Sequence, residues 1–171
     1  MINKLSFSIS YEAYDHLQEL SAEDQSLCLK AEEALSTSYS PYSNFKVAAA
    51  VLLSDGKIIT GSNQENMAYP SGLCAERVAL FTVGATHPDA IIASIVITAH
   101  TPNFKIEQPI TCCGACLQVM SEFERKQNKE LTVIFYCLDG QILKIKGMRN
   151  LLPFGFVEDR LLADPVRLKQ L

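Results

Sequence analysis

The chain has 171 residues, of which 48% are hydrophobic and 20% charged, and a formal net charge of -4. This fits one globular domain with a core of its own. A mild negative charge without a run of Lys or Arg gives no electrostatic basis for binding nucleic acid or an anionic membrane. No apolar stretch approaches the roughly 20 residues that cross a bilayer, and residues 1–10 hold neither a continuous apolar run nor a small-residue cleavage site. The expectation is therefore a cytoplasmic protein with reduced thiols.

Leu5, Phe7 and Ile9 alternate with polar residues, the pattern of a short strand, while residues 11–20 are equally open to a helix. Ser21 has the form of an N-cap, with acidic Glu23 and Asp24 behind it. Leu27, Ala31, Ala34 and Leu35 recur at helical spacing, which predicts a helix over 22–36. Residues 45–53 are an apolar run ending in Ser54-Asp55-Gly56, a hairpin turn, with the return strand at 57–61. The polar loop Ser62-Asn63-Gln64-Glu65-Asn66 follows; loops held by a rigid hairpin are common sites of substrate contact. After the break at Tyr69-Pro70-Ser71-Gly72, a helix is predicted over 74–83, closed by Gly84 and Pro88. Residues 90–99 are an Ile-rich run that predicts a strand buried on both faces. A helix over 114–127 places Leu117, Met120 and Phe123 on one face, and 131–138 and 141–145 are strands around Asp139-Gly140. Strands alternating with helices predict an α/β fold, a three-layer α/β/α domain with a mixed five-stranded sheet. Its opening hairpin is antiparallel and its helix-connected strands parallel. Residues 1–20 form an N-terminal extension to a single domain over 21–171.

The six cysteines stand at 28, 74, 112, 113, 116 and 137, and four of them fall in two short stretches, Cys74-Ala75-Glu76-Arg77 and Cys112-Cys113-Gly114-Ala115-Cys116. Adjacent Cys112 and Cys113 suit a disulfide framework poorly, and metal binding is the better reading. Cys113 and Cys116 are three apart at a predicted helix start, so both thiols reach one side. Cys74 opens another helix. Helix N-termini favour thiolates, and catalytic zinc takes three protein ligands while leaving a fourth position for water. Arg77 is placed to offset the thiolate charge by donating to a ligand sulfur. Cys112 is a competitor for the metal, whereas His16, His87 and His100 have no ligand spacing and Cys28 reads as a core thiol. A redox pair shares the Cys-x-x-Cys signal. Glu76, two residues after Cys74, separates the readings, since beside the metal it can take a proton from activated water and pass it on.

The chain resembles the cytidine deaminase family, of the short homotetrameric kind. The resemblance rests on Ser40-Pro41-Tyr42-Ser43-Asn44-Phe45-Lys46-Val47, Gly61 with Asn63-Gln64-Glu65-Asn66, Ala68-Tyr69-Pro70, the two cysteine stretches, and Leu151-Leu152-Pro153 with Phe156. It implies one zinc per chain held by Cys74, Cys113 and Cys116, with Glu76 as proton shuttle, the arrangement of zinc deaminases generally. It also implies that Asn63 and Glu65 hold the ribose, that the backbone at Ala75 meets the polar edge of the pyrimidine, and that Phe45 and Val47 pack on the base. Phe156, from a neighbouring subunit, and Tyr69 complete a shared site. The implied reaction is hydrolytic deamination of cytidine and 2'-deoxycytidine to the uridine products, in pyrimidine salvage. Rival readings are a deaminase of another cytosine nucleoside such as blasticidin S, a non-catalytic zinc-stabilised interaction protein, and a redox protein. Against the family pattern, Cys112 replaces Pro, Leu117 replaces Arg, and Ala48 replaces Gly, adding a methyl group near the base-binding strand.

Overall fold

A computed structural model describes residues 2–161, the side chain of Asp159 excepted. Residues 162–171 of the expected catalytic domain and Met1 of the expected extension lie outside the described residues. One mixed sheet organises the chain. Its strands are β1 (Glu12–Tyr14), β2 (Lys46–Leu53), β3 (Ile58–Ser62), β4 (Ile92–His100), β5 (Thr132–Tyr136) and β6 (Ile142–Lys146), in the order β1-β6-β5-β4-β2-β3. Strand β2 runs antiparallel to both β3 and β4, β4 and β5 are parallel, and β6 is antiparallel to β5 and β1. The sheet has six strands where the sequence predicts five. The additional one is β1, held by the register Ala13 opposite Leu143, with Tyr14 packing on the core beneath it. The strand expected around Leu5 to Ile9 and the helix open to residues 11–20 do not form. Residues 5–9 pair with no strand among the described residues, and a single 3-10 turn, Leu17–Glu19, follows β1.

Three helices make the outer layers: α1 (Ala22–Ala34), α2 (Ala75–Thr86) and α3 (Gly114–Gln127). Helix α1 starts at Ser21, whose hydroxyl accepts from the Asp24 N–H at 3.1 Å. It buries Leu27, Cys28 and Ala31 on one face of the sheet against Ala50, Val96 and Ile134. Helices α2 and α3 cover the other face, where Ala79, Leu80, Val83 and Met120 meet Ala49, Val51, Ile95 and Val133. The three-layer prediction holds. The run Ala48-Ala49-Ala50 is fully buried and presents small side chains to both layers, which lets helices approach the central strand closely. Ala48 belongs with Ala34 and Leu35 on the α1 side. Its methyl group therefore lies on the base-binding strand β2, as the sequence implied, but on the face across the sheet from α2 and α3.

Two close approaches set where α2 and α3 begin. A Cβ on Gly61 of β3 would stand 2.5 Å from the Ala79 nitrogen and 2.8 Å from the Ala75 carbonyl oxygen, so only glycine lets β3 press against the first turns of α2. Helix α2 does not stop at Gly84 as predicted but continues to Thr86, with the Phe123 ring of α3 packed 3.4 Å from where a Gly84 Cβ would stand. Helix α3 is tied down at its far end. Gln127 exchanges hydrogen bonds with the Ile92 backbone at 2.9 and 3.0 Å, and Glu124 accepts from the N–H groups of Leu131 and Met148. Among the described residues, no helix is long and apolar enough to cross a membrane.

Candidate active site

Cys74 is the N-cap of α2, Cys113 the N-cap of α3, and Cys116 lies in the first turn of α3. N-caps are normally filled by Ser, Thr, Asp or Asn, whose oxygens satisfy free N–H groups. Neither cysteine makes a side-chain cap here. Both thiols are turned instead toward a shared point, where the sulfurs of Cys74, Cys113 and Cys116 lie within 4.8 Å of one another. This is the one cluster of metal-type donors among the described residues. Cys113 is exposed, Cys74 half-buried and Cys116 buried, so the cluster opens to one side only. Cys113 and Cys116 sulfurs are 3.9 Å apart.

The Cys74 thiol is lowered to about 6, first by a hydrogen bond from Cys116 and then by Arg77, against the opposing effect of burial. As donor in that bond, and buried, Cys116 is pushed up. Arg77 Nη2 donates to Cys74 Sγ at 3.5 Å, as its spacing predicted, while its buried Nε has no partner among the described residues. A thiolate set at two helix N-termini with a neighbouring guanidinium suits zinc, and three donors leave one position of a tetrahedron open. Cys112 lies outside the cluster. Its thiol is pushed up by burial first and then by the charge and hydrogen bond of Glu76.

Glu76, in the first turn of α2, is only 5% exposed yet lines a cavity of about 500 Å³. Cys74 and Cys113 stand on its wall, with Val47, Asn63, Glu65 and Tyr69. Phe45, Ala75 and Phe156 do not reach that wall in the single chain. The Phe45 ring lies 6.2 Å from that of Phe104, Ala75 is fully buried, and the Phe156 backbone exchanges hydrogen bonds with the Gln118 amide at 2.8 and 3.0 Å. Leu117, on α3, is partly buried against the core. The sequence reading missed Ile97, Ile110 and Thr111, which supply part of the cavity wall. For the last two, the available signal was their position directly before the second cysteine stretch.

The loop after β3 is pinned by its own polar groups. Asn63 Oδ1 accepts from the Val47 N–H at 2.9 Å and from the Ser38 hydroxyl, and Nδ2 donates to the Phe45 carbonyl at 2.9 Å. One amide hydrogen of Asn63 is left to serve a ligand. Glu65 accepts from the N–H groups of Tyr42 and Ser43 at 2.9 and 3.3 Å and from the Ser43 hydroxyl. The Ser43 hydroxyl is the main cause that holds this carboxyl below its ordinary range. Three donors leave part of its acceptor capacity open.

A mixed α/β domain with a three-thiol metal cluster beneath a small-molecule cavity defines a metal-dependent enzyme of the α/β class. Residues 21–131 match the family model described as the cytidine and deoxycytidylate deaminase zinc-binding region. Cytidine deaminase of Halalkalibacterium halodurans is 38% identical over 135 residues, covering 79% of this chain and 95% of that protein. The Sporosarcina psychrophila cytidine deaminase is 36% identical over 137 residues, covering 80% and 93%. The crystal structure of cytidine deaminase from Burkholderia pseudomallei superposes with a TM-score of 0.66 at 37% identity, covering 77% of this chain and 97% of that one. This chain belongs to the cytidine and deoxycytidylate deaminase family and is a zinc-dependent deaminase. Membership does not favour the redox and non-catalytic readings.

Proposed function

We propose that the chain hydrolytically deaminates cytidine and 2'-deoxycytidine, giving uridine and 2'-deoxyuridine, and so serves pyrimidine salvage in the cytoplasm. The observation that carries this reading is the buried Glu76 carboxylate on the cavity wall beside Cys74 and Cys113. Cys74, Cys113 and Cys116 hold one zinc, which when bound supplies the Lewis acidity that makes water nucleophilic near neutral pH. Glu76 takes a proton from the attacking water and delivers it to N3 of the base. It then transfers the second proton to the amino group, which leaves C4 as ammonia when the C–N bond breaks. Arg77 offsets the charge of the thiolates through Cys74.

Asn63, through its remaining amide hydrogen, and Glu65, through its remaining acceptor capacity, bind the ribose hydroxyls. A site built for those groups disfavours a free base that lacks them. Val47 packs against the base; Phe45 and Ala75 stand off the cavity wall in the single chain, and it is by the family resemblance that Phe45 flanks the base and the N–H groups at Ala75, which have no intrahelical partner, face its polar edge. Tyr69, 89% exposed, and Phe156, 70% exposed, meet a neighbouring subunit, with Phe156 closing the neighbour's site in a homotetramer. Residues 21–171 form the catalytic domain, and residues 1–20 an extension to it.

Glu76→Gln tests the reading. The variant is expected to keep about one zinc per chain and lose cytidine turnover by about a hundredfold to ten-thousandfold, in line with removal of a general acid–base group. Zinc retained in the parent chain with no turnover of cytidine or 2'-deoxycytidine would sink it.

A further inference from the structure

Residues 2–11 lie outside the proposed site and before the segment that matches the family model. Leu5, Phe7, Ile9 and Tyr11 alternate with Lys4, Ser6, Ser8 and Ser10, the period of a half-buried strand. Yet Leu5 is 93% exposed, Ile9 57% and Tyr11 61%. Among the described residues, no backbone–backbone hydrogen bond involves residues 2–11. This stretch runs directly into β1, which stands at the edge of the sheet with β6 as its neighbour. One continuous segment thus carries both an unpaired backbone edge, a ready template for another strand, and an apolar face whose exposure to water costs free energy until something covers it.

We propose that residues 4–12 pair antiparallel with the same residues of a second copy about a two-fold axis, joining the sheets of two chains edge to edge through their N-terminal arms. A two-fold pairing that keeps the apolar side chains on one face must set odd residues opposite odd ones and even opposite even. Of such registers, the one centred on Ser8 sets Leu5 opposite Tyr11, Phe7 opposite Ile9, Ser6 opposite Ser10, and Lys4 opposite Glu12 at both ends. Opposite charges therefore face each other twice. Centring on Phe7 would set Lys4 against Ser10, and centring on Ile9 would set it against Tyr14, so neither matches Lys4 with Glu12. Glu12 is exposed; among the described residues its Oε2 accepts the Tyr14 hydroxyl at 2.8 Å, while Lys144, opposite it on β6, is paired with Asp24, so the other oxygen is left for an incoming ammonium group. The sequence of the arm is complementary to itself in one register, which is what an isologous contact requires.

Cysteine pairing in the full-length, zinc-loaded protein tests this register. Facing residues in an antiparallel pair come within disulfide reach. Ser8→Cys is expected to give a covalent dimer on mild oxidation, above the background of the parent chain. Ser6→Cys and Ser10→Cys are expected to link to each other when mixed but not to themselves, since each stands about 13 Å from its own copy at roughly 3.3 Å per residue. Lys4→Glu or Glu12→Lys alone should weaken the arm-mediated association roughly tenfold, and the double exchange should restore it. Equal linking at all three serine positions, no linking at any, or a double variant as weak as the singles would overturn the proposal. Loss of the association on changing Phe156 alone, with Ser8→Cys unlinked, would assign it to the tail and overturn the proposal too.

Discussion

The side-chain amide of Asn63 donates to the Phe45 backbone carbonyl at 2.9 Å, and so fastens the loop after β3 to the entry of β2. The same side chain accepts from the Val47 N–H at 2.9 Å. A residue proposed to bind substrate is therefore also part of the frame. Asn63→Ala removes these bonds and leaves the Val47 N–H unpaired, which is expected to cost about 1–3 kcal/mol of stability and to raise KM for cytidine. Asn63→Asp keeps the acceptor but sets a carboxylate oxygen against the Phe45 carbonyl, so it should destabilise at least as much. Denaturant unfolding together with steady-state kinetics checks both, and a stability loss with unchanged KM would confine Asn63 to the frame.

Gly61 gives a second, sharper case. Its would-be Cβ meets backbone atoms of Ala79 and Ala75, neither of which has a flexible end to move aside. Gly61→Ala must push β3 away from α2, the helix that carries Cys74 and Glu76. The expected result is a loss of about 1–3 kcal/mol of stability, the usual range for overpacking, with kcat falling as Glu76 shifts relative to the cysteine cluster. Thermal unfolding and kcat at saturating cytidine measure the two effects. Full activity in Gly61→Ala would show that the site tolerates displacement of α2.

Much of this arrangement was legible in the residues, for physical reasons. Helix α3 could be read at its observed bounds because Leu117, Met120 and Phe123 repeat at helical spacing, and β2 and β4 because apolar runs of strand length lie between turn residues. The cysteine cluster could be read because both stretches open helices, where spacing fixes direction. What escaped depends on contacts between distant parts. Gly84 looked like a helix end, yet α2 runs through it to Thr86 and packs there against the Phe123 ring of α3. Three-residue β1 carries too short a pattern to mark itself and owes its existence to β6. Leu5 to Ile9 carry a strand pattern without a partner in the chain, so periodicity there predicted an element that does not form. Ala48 follows Val47 in β2, so strand alternation alone sets its methyl group on the opposite face of the sheet, where it packs with Ala34 and Leu35.

Removal of zinc separates the ligands from their neighbour. Cys74→Ala, Cys113→Ala and Cys116→Ala should each abolish stoichiometric zinc and lower Tm by about 10 °C, the scale on which a tightly bound ligand raises it. Stripping with a chelator should have the same effect on the parent chain, reversed by adding zinc back. Cys112 stands outside the cluster, so Cys112→Ser should keep about one zinc per chain. Metal content by mass spectrometry of the intact protein, read beside Tm, checks the assignment. Zinc loss in Cys112→Ser would make it a ligand.

The pH response of the loop follows from Glu65 and Ser43. The Ser43 hydroxyl first, against the opposing effect of burial, and then the N–H groups of Tyr42 and Ser43 hold the Glu65 carboxyl below its ordinary range. These bonds favour the charged form, so the folded value lies below the unfolded one. Their contribution is fully present above the unfolded pKa and is lost as pH falls through the lowered folded value. Ser43→Ala removes the largest cause, and the Glu65 titration should move back up toward the ordinary carboxylate range, read by carboxyl 13C shifts. In the parent protein KM for cytidine should stay level on acidification until that lowered value is reached. In Ser43→Ala its rise should begin at a higher pH, because Glu65 then takes up its proton sooner. An unmoved titration in Ser43→Ala would show that the hydroxyl does not set the charge of Glu65, and an unmoved KM profile that this carboxylate does not hold the ribose.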